Sequence, residues 1–432
     1  MLRTIDLRGR RPSASELLEI VPRATAARAD AQAVAARLVA DVAERGEAAL
    51  REQAERFEGV RDHAMRVPAS HIDEALASLD PAVRRALEQA IRRVAAASEA
   101  QIPAPSSTRL GPGARVGQRW LPVRRAGVYV PGGKAVYPSS VVMNVVPAQV
   151  AGVAQIALAS PPQPTDGRVH PTILAAAGIL GVTEVYAMGG AGAIAAFAYG
   201  IGSVGLAAVD VVTGPGNNFV AAAKRAVAGR VGLDAEAGAT EILIVADADA
   251  DAGIVAVDAI SQAEHDEQAA AVVVTDSEQL ADRVLFELSR RVPATRHAAR
   301  VRAALTGPQS ALVLVDDQDQ ATAFSNAYAP EHLEVHTARP DPARFVNAGA
   351  VFVGPWSPVS LGDYLAGSNH VLPTGGQARY AAGLSAMTFL RAQQVIEYDR
   401  GALAEVADPI VTLARAEDLP AHGEAVTARL TG

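Results

Sequence analysis

The amino-acid sequence predicts an α/β protein with two similar doubly wound, incomplete Rossmann-like parallel-sheet domains, an N-terminal helical region and a C-terminal helical tail. From about Val123, short β-rich runs alternate with helical runs; the β-rich runs are AGVYVPG, QIALASP, EVYAMGG and VDVVTGP. The pattern then restarts with EILIVAD, AAVVVTD, SALVLVDD, HLEVHT and AVFVGP. Strands that alternate with helices of this length are typical of a parallel sheet with helices on its faces.

The two ends of the chain differ from this alternating part. The stretches AARADAQAVAARLVADVAERGEAALREQAERF and PAVRRALEQAIRRVAAASEA have apolar residues at three- and four-residue spacing, which predicts amphipathic helices. The stretch IPAPSSTRLGPG reads as a loop. We therefore expect a helical region over 1–122, sheet domains over 123–236 and 237–380, and a tail over 381–432 that packs on a partner subunit.

The composition excludes several classes of protein and site. The chain has 432 residues, of which 50% are hydrophobic and 20% charged, and its net charge of −8 argues against nucleic acid or an anionic membrane as the main partner. It contains no cysteine, so disulfides, thiol nucleophiles and thiolate metal sites are excluded. There is no apolar signal segment and no uninterrupted apolar run of about 18 residues, the length that spans a membrane. We expect a cytoplasmic protein.

The stretch SQAEHDEQ, which follows the apolar run AGIVAVDAI, contains candidate metal ligands. In a helix that advances about 100° per residue, His265 lies about 20° from the direction of Ile254, and Gln262 about 80° from it. Both side chains fall on or beside the buried face, whereas Asp266 and Glu267 rotate toward solvent. Gln262 and His265 are therefore an inward-facing pair, which either binds a metal or is a buried histidine with an amide partner.

A second candidate pair lies in NAYAPEHLEV, where Glu331 stands beside His332 between a helix and a strand. Strand ends in open α/β sheets are where ligands bind. An adjacent carboxylate and imidazole could act as two separate proton acceptors near neutral pH. A turn with a capping glutamate explains the pair equally well.

The long segment VGPWSPVSLGDYLAGSNHVLPTGG, residues 353–376, is dense in glycine, serine and proline but also contains Asp363 and His370. Loops of this length are usually functional or disordered, and the apolar residues within this one favour an ordered loop. In the tail, RAEDLPAHGEAV offers Glu417 and His422, which by themselves look like surface residues.

Two further patterns are of the kind that binds phosphate groups. VVTGPGNNFVAAAKRAV reads as a strand, a Gly-Pro-Gly turn and a helix with Asn217 at its start, where backbone amides suit an anion. YAMGGAGAIAAFA matches G-x-G-x-x-A after a strand, through Gly190, Gly192 and Ala195. Close packing of an alanine-rich helix explains the second match equally well, and no acidic partner for a nucleotide ribose stands out. Spacing alone indicates an α/β enzyme and leaves nucleotide use open.

Taken together, the motifs resemble those of histidinol dehydrogenases. TGPGN, SQAEHD, PEHLE and GDYLAGSNHVLPT occur in the family's order, within a match that runs from WLPVRRAGVYVPGGKAVYPSSVVMN to AEDLPAHGEAV. The resemblance implies a homodimer with shared active sites, one Zn²⁺ per subunit and NAD as cofactor. It also implies oxidation of L-histidinol through L-histidinaldehyde to L-histidine, the last steps of histidine biosynthesis.

The same resemblance implies the roles of individual residues. The zinc ligands would be Gln262, His265, Asp363 and the partner subunit's His422. The acid–base pair would be Glu331 and His332. The substrate contacts would be Thr240, Gln262, His265, His332, Asp363, His370, Glu417 and His422, with the last two from the partner subunit. The NAD contacts would be Tyr129, Asn217 and the position of Gly192.

The sequence departs from the family pattern at two positions. Gly192 stands where the family often has a glutamine that contacts the cofactor, and Thr240 stands where the family has the serine of Gly-Pro-Ser-Glu. Two alternatives remain: a paralogous zinc and NAD dehydrogenase of another small alcohol, and a non-enzymatic metabolite-binding homologue. The first should have lost the contacts to the substrate imidazole, and the second the proton acceptors or metal ligands. The chain keeps both sets.

Overall fold

The structure, a computed structural model, describes residues 1–23, 28–132, 136–235 and 238–431. The strands are β1 (Arg3–Asp6), β2 (Ser106–Gly111), β3 (Ala114–Pro122), β4 (Arg125–Tyr129), β5 (Gln155–Ser160), β6 (Val185–Ala187), β7 (Val211–Thr213), β8 (Gly232–Leu233), β9 (Glu241–Ala246), β10 (Ala270–Thr275), β11 (Ala311–Leu314), β12 (His332–His336), β13 (Ala350–Val353) and β14 (Leu390–Tyr398). The helices are α1 (Ala14–Ile20), α2 (Arg28–Arg45), α3 (Glu47–Gln53), α4 (Ala69–Ser78), α5 (Pro81–Glu99), α6 (Pro138–Val150), α7 (Pro171–Ile179), α8 (Gly190–Tyr199), α9 (Asn218–Val227), α10 (Ala252–Ala263), α11 (Glu278–Arg291), α12 (Ala298–Thr306), α13 (Gln318–Tyr328), α14 (Val359–Tyr364), α15 (Arg400–Ala416) and α16 (Pro420–Thr427). None of the helices within these ranges is both long and apolar enough to cross a membrane.

Two parallel sheets with the same strand order form the centre of the molecule. The first sheet has the order β6-β5-β4-β7-β8, and the second has the order β1-β11-β10-β9-β12-β13. Counted from β4 in the first unit and β9 in the second, both orders are 3-2-1-4-5, which is the Rossmann order 3-2-1-4-5-6 without its sixth strand. The prediction of two similar doubly wound units is therefore confirmed.

The central strands of these sheets are buried along their whole length because helices cover both faces. All six residues of β9 and of β10 are buried, and so are all five of β4. Strands buried on both sides read as continuous apolar runs and not as alternating ones. This is why EILIVA and AAVVVT could be recognised in the sequence as parallel strands.

Both ends of the chain contain strands as well as the predicted helices. Strand β1 extends the second sheet by pairing with β11, and β2 and β3 form a three-stranded antiparallel sheet with β14. Strands β1 and β14 were not predicted because their partners lie hundreds of residues away. The prediction of a loop over IPAPSSTRLGPG was wrong, because this segment contains β2, which is exposed along most of its length and so has no buried apolar face. The domain boundaries stay predictions, and the boundary between 236 and 237 lies outside the described residues.

The turn between β7 and α9 is fixed by a buried ion pair. The ammonium group of Lys224 lies 2.5 Å from the carboxylate of Asp234 and also donates to the carbonyl oxygen of Gly214. The backbone N–H of Gly214 donates to the other oxygen of Asp234, at 2.7 Å. The N–H and the carbonyl group of Gly214 are therefore both held by hydrogen bonds to this ion pair. A Cβ on this residue would lie 1.9 Å from the carbonyl oxygen of Tyr129, at a φ of +121°, so only glycine fits.

Replacement of Gly214 by alanine should lower the free energy of unfolding by about 3 kcal/mol or more, because the new methyl group meets backbone atoms that no rotamer change can move. Chemical denaturation of the purified variant measures this loss. Gly229→Ala is the matched control, since Gly229 has a φ of +87° but no atom within 4 Å of the added Cβ. The control should lose only about 1–2 kcal/mol, the penalty of a left-handed backbone. Equal losses in the two variants would contradict the close contact with Tyr129.

Candidate functional site

The predicted cofactor contacts lie at the carboxyl edge of the first sheet. Tyr129 is the last residue of β4, and Asn217 caps α9 just after β7, with its Oδ1 accepting from the N–H groups of Phe219 and Val220. Strands β4 and β7 are neighbours from which the chain proceeds in opposite directions across the sheet. Ligands of open α/β sheets bind at such a switch point.

The predicted metal and catalytic residues lie at the opposite edge of the second sheet. Thr240 immediately precedes β9, His332 is the first residue of β12, and Gln262 and His265 precede β10. They therefore lie at the amino ends of these strands. In open α/β sheets, ligands usually bind at the carboxyl ends. This edge of the second sheet lies against the first unit, and we call the region between the two units the cleft. His370 Nε2 of the second unit lies 3.1 Å from the Ser140 hydroxyl on α6, at the carboxyl edge of the first sheet.

A series of hydrogen bonds links a predicted metal ligand to the predicted acid–base residue. The amide Nε2 of Gln262 donates to the Thr240 hydroxyl at 2.5 Å, and this hydroxyl donates to Glu331 Oε2 at 2.6 Å. The N–H of Glu241 donates to the same carboxylate oxygen at 2.8 Å. Because Nε2 of Gln262 is engaged by Thr240, the amide oxygen is the atom that can bind a metal. Thr240, predicted as a substrate contact, thus also orients its two neighbours.

Glu331 is a buried carboxyl group with a raised pKa, and His332 beside it has a defined tautomer. Burial raises the pKa of Glu331 to about 7, although the nearby His332 and the bonds from Thr240 and Glu241 oppose the shift. Nδ1 of His332 lies 3.1 Å from the carbonyl oxygen of Glu241. Since a carbonyl can only accept, the neutral ring carries its hydrogen on Nδ1. Its Nε2 is left with a lone pair that can take a proton.

His265, Asp363 and His332 share one electrostatic environment. Burial lowers the pKa of His265, the carboxylate of Asp363 opposes this shift, and His332 adds to it. Burial also lowers the pKa of His370, whose Nδ1 donates to the backbone carbonyl of Asp363 at 3.0 Å. Neutral imidazoles beside a carboxylate are a donor set that suits a metal such as zinc. With the amide oxygen of Gln262, the side chains of His265 and Asp363 offer the kinds of nitrogen and oxygen donor that zinc binds.

The structure modifies two details of the sequence analysis. Helix α10 ends at Ala263 with Glu264 as its C-cap, so His265 follows the helix instead of lying on it. Gln262 is buried and His265 half-buried, as the helical spacing predicted, while Glu264 is exposed. The segment 353–376 is not a continuous loop, because α14 occupies its middle and carries Asp363.

Glu417 and His422 are not brought to the cleft by the fold of one chain. Both are exposed; Glu417 is the C-cap of α15, and His422 lies on α16, which packs against α15. Within the described ranges, the hydrogen bonds and ion pairs of the cleft include neither side chain. Their predicted roles require a second subunit.

A different group of metal-binding side chains lies deeper in the second unit. Oxygen or nitrogen atoms of Asp258, Glu334 and His336 lie within 4.8 Å of one another. None of the three was selected in the sequence. They do not belong to the predicted zinc set, and they are considered separately below.

The glycine-rich turn at the start of α8 is contacted by Tyr129 and by two residues of the N-terminal region. The N–H of Gly190 donates to the Tyr129 hydroxyl at 3.2 Å. A Cβ on Gly192 would lie 2.7 Å from Gln53 Oε1, so the buried Gln53 fills the space beside this glycine. A Cβ on Gly189 would lie 2.1 Å from the carboxylate of Glu58.

Glu58 places a buried carboxyl group beside this turn. Burial raises its pKa to about 7, and its charge contributes to raising the pKa of Tyr129. It lies at the end of a π-helical turn, Ala54–Glu58, in a segment that otherwise reads as an amphipathic helix. Only the packing of this segment on α8 reveals that Glu58 reaches the glycine turn, so no local pattern could have identified it.

Comparison with known proteins identifies the family. The model of the histidinol dehydrogenase family matches residues 21–430. A histidinol dehydrogenase from Leifsonia xyli subsp. xyli is 63% identical over 99% of both chains, and one from Thermobifida fusca is 58% identical over 99% of this chain and 97% of its own. The crystal structure of histidinol dehydrogenase from Elizabethkingia anophelis superposes with a TM-score of 0.92 at 30% identity, over 100% of this chain and 98% of its own. The chain belongs to the histidinol dehydrogenase family.

Proposed function

We propose that this enzyme oxidises L-histidinol through L-histidinaldehyde to L-histidine, the last steps of histidine biosynthesis, with one Zn²⁺ per subunit and NAD. The observation that carries the proposal is the hydrogen-bonded series from Gln262 through Thr240 to Glu331. It joins a metal-binding amide to a carboxylate whose pKa is about 7, beside an imidazole of defined tautomer. A substrate held by the metal would have two proton acceptors next to its reacting carbon.

The zinc ligands in this proposal are Gln262, His265, Asp363 and the partner subunit's His422. When bound, zinc supplies a Lewis acid that anchors the imidazole and amino nitrogens of the substrate, and NAD accepts the hydrides. The protein contributes neutral nitrogen and oxygen donors, which is what a chain without cysteine can offer. Thr240 orients the amide of Gln262 so that its oxygen is available.

The residues of the cleft divide the proton transfers between them. His332 takes the hydroxyl proton of the alcohol on Nε2, so that hydride can leave the carbon and an aldehyde forms. Glu331 then takes a proton from the water that adds to the aldehyde, which gives a hydrate from which a second hydride can leave. Its pKa of about 7 suits a base that works near neutral pH. His370 and the partner subunit's Glu417 are proposed to contact the substrate.

NAD is proposed to bind at the carboxyl edge of the first sheet, with contacts to Tyr129, Asn217 and the turn at Gly192. The glycines of this turn would let the protein backbone approach the phosphate groups of the nucleotide closely. Gly192 lacks the glutamine side chain that the family often has at this position. The amide group of Gln53 lies beside it. This position is supported by the contact of His370 with Ser140 between the two units, across which the nicotinamide would reach the proton acceptors, as hydride transfer requires.

A homodimer is proposed for two reasons. The site needs Glu417 and His422 of the tail, and large apolar side chains are exposed both on the tail and beside Asp363. On the tail and its neighbouring strand, Ile396 and Leu413 are 67% and 63% exposed. Beside Asp363, Tyr364 is 58% exposed and Trp356 is 90% exposed. Large apolar groups exposed to this degree mark surfaces that a partner covers. A two-fold axis would place each tail on the other subunit's cleft. A cytoplasmic location stays a prediction from the sequence.

The purified protein should produce two NADH for each L-histidinol, and removal of the metal by a chelator should abolish this activity until zinc is restored. The reason is that the substrate's nitrogens have no other anchor of comparable strength. An amino alcohol without an imidazole is the control substrate, and it should react slowly. Full activity of protein verified as metal-free, or equal rates with the control alcohol, would disprove the assignment.

Glu331→Gln should slow the oxidation of supplied L-histidinaldehyde by about 100-fold or more while sparing aldehyde formation from L-histidinol, because only the second step needs a base for water. The two half-reactions can be followed separately by supplying the aldehyde or by trapping it. His332→Asn is the matched variant and should slow the first half-reaction. Equal losses of both half-reactions in Glu331→Gln would refute this division of roles.

Subunits with His422→Ala and subunits with Glu331→Gln, each poorly active alone, should regain activity when mixed. If sites are shared, a mixed dimer has one site with both residues intact. Random exchange makes half of the dimers mixed, so about one quarter of wild-type activity is expected (one half times one half). Absence of recovery after subunit exchange has been confirmed by mass spectrometry would rule out shared sites.

A further inference from the structure

A buried polar cluster lies directly beneath the proposed active site. Glu334 and His336 follow His332 on the same face of β12, at the period-two spacing of a strand. His336 Nε2 lies 3.1 Å from Glu334 Oε2 and 3.9 Å from Asp258 Oδ2. The side chains of Glu334 and His336 are 0% and 5% exposed, and that of Asp258 is 11% exposed.

The surroundings of this cluster are apolar. Glu334 pairs with Ile244 on β9 and with Phe352 on β13, and both belong to the hydrophobic core between the sheet and α10. A buried carboxylate in such a core is unfavourable, and an apolar residue of similar size is often as stable or more stable. Stability alone therefore does not explain why two carboxyl groups and an imidazole occupy this position.

The cluster joins the three elements that carry the proposed ligands and base. Asp258 lies on α10, one helical turn before Gln262. Glu334 lies on β12, which begins with His332, and its Oε1 accepts a hydrogen bond of 2.8 Å from the N–H of Val359. Val359 is the first residue of α14, the short helix that carries Asp363.

We propose that Asp258, Glu334 and His336 act as a positioning cluster that fixes α10, β12 and α14 relative to one another and so sets the spacing of the zinc ligands Gln262, His265 and Asp363. The inference rests on the zinc site of the proposed function. The residues do not touch substrate or metal; they act through the backbones of the elements they connect.

The charge balance of the cluster agrees with this role. Burial and the neighbouring Glu334 raise the pKa of Asp258 to about 7, whereas His336 opposes the shift. Asp258 Oδ2 is buried without an N–H or O–H donor, and a proton held by Asp258 would let it donate a hydrogen bond to Glu334. Such a bond is directional, so it restricts the distance between α10 and β12 more than apolar packing would.

The test compares zinc affinity with the stability of the metal-free protein in Glu334→Leu and Asp258→Ala. Competition with a chromophoric chelator should show zinc affinity lowered by about 10-fold or more, as for other residues that support metal ligands indirectly. The thermal unfolding midpoint of metal-free Glu334→Leu should also fall, because the N–H of Val359 and the ring of His336 lose a buried acceptor. A purely structural role would lower the midpoint and leave the zinc affinity unchanged.

Two isosteric variants serve as matched controls and also remain informative if an apolar variant fails to fold. Glu334→Gln keeps an acceptor for the Val359 N–H, and Asp258→Asn keeps a hydrogen that can be donated to Glu334; both should retain most of the zinc affinity. Equal affinity in wild type, Glu334→Leu and Asp258→Ala would overturn the positioning role but not the zinc site. Absence of zinc binding in wild type would overturn both, and two zinc ions per chain would identify the cluster as a cation site and refute the inference.

Discussion

The pairing of β9 with β12 determines whether the site can exist. His332 lies opposite Ile242 in this parallel pair, which places the start of β12 beside Thr240 and the Glu241 backbone. There, the Thr240 hydroxyl and the Glu241 N–H donate hydrogen bonds to Glu331. The Glu241 carbonyl accepts from Nδ1 of His332 and so fixes its tautomer. A shift of one residue in register would turn His332 to the other face of the sheet. The chemistry of the cleft therefore depends on backbone register as much as on side-chain identity.

The position of the cleft between two sheets has a functional reason. The first sheet presents its carboxyl edge, where glycine turns and helix N-termini favour a nucleotide. The second presents its amino edge, where side chains at the starts of β9 and β12 meet the end of α10. Two sheets with the same strand order thus contribute different chemistry because opposite edges face the cleft. The contacts of His370 with Ser140 and of Asn369 with the Met143 carbonyl hold these edges together.

Local patterns in the sequence predicted the parts of the fold that depend on local physics. The buried runs of β9 and β10 and the inward direction of Gln262 follow from periodicity, and the motifs around Glu331 and Asp363 carry the family resemblance. The strands β1 and β14 could not be predicted, because their pairing depends on distant partners. Glu58, Gln53 and the cluster around Glu334 were missed for the same reason: each acquires its environment only when separate segments pack together.

The antiparallel pairing of β3 with β14 also has a consequence for the order of folding. Ala114 lies opposite Tyr398, so this sheet closes one of the longest loops in the chain and cannot form until nearly the whole polypeptide has left the ribosome. Contacts of such long sequence separation form late. The strands of both parallel sheets, from β1 to β13, all leave the ribosome before the arm that carries α15 and α16. In the proposed dimer, this arm would therefore reach the other subunit only after both parallel sheets have been synthesised.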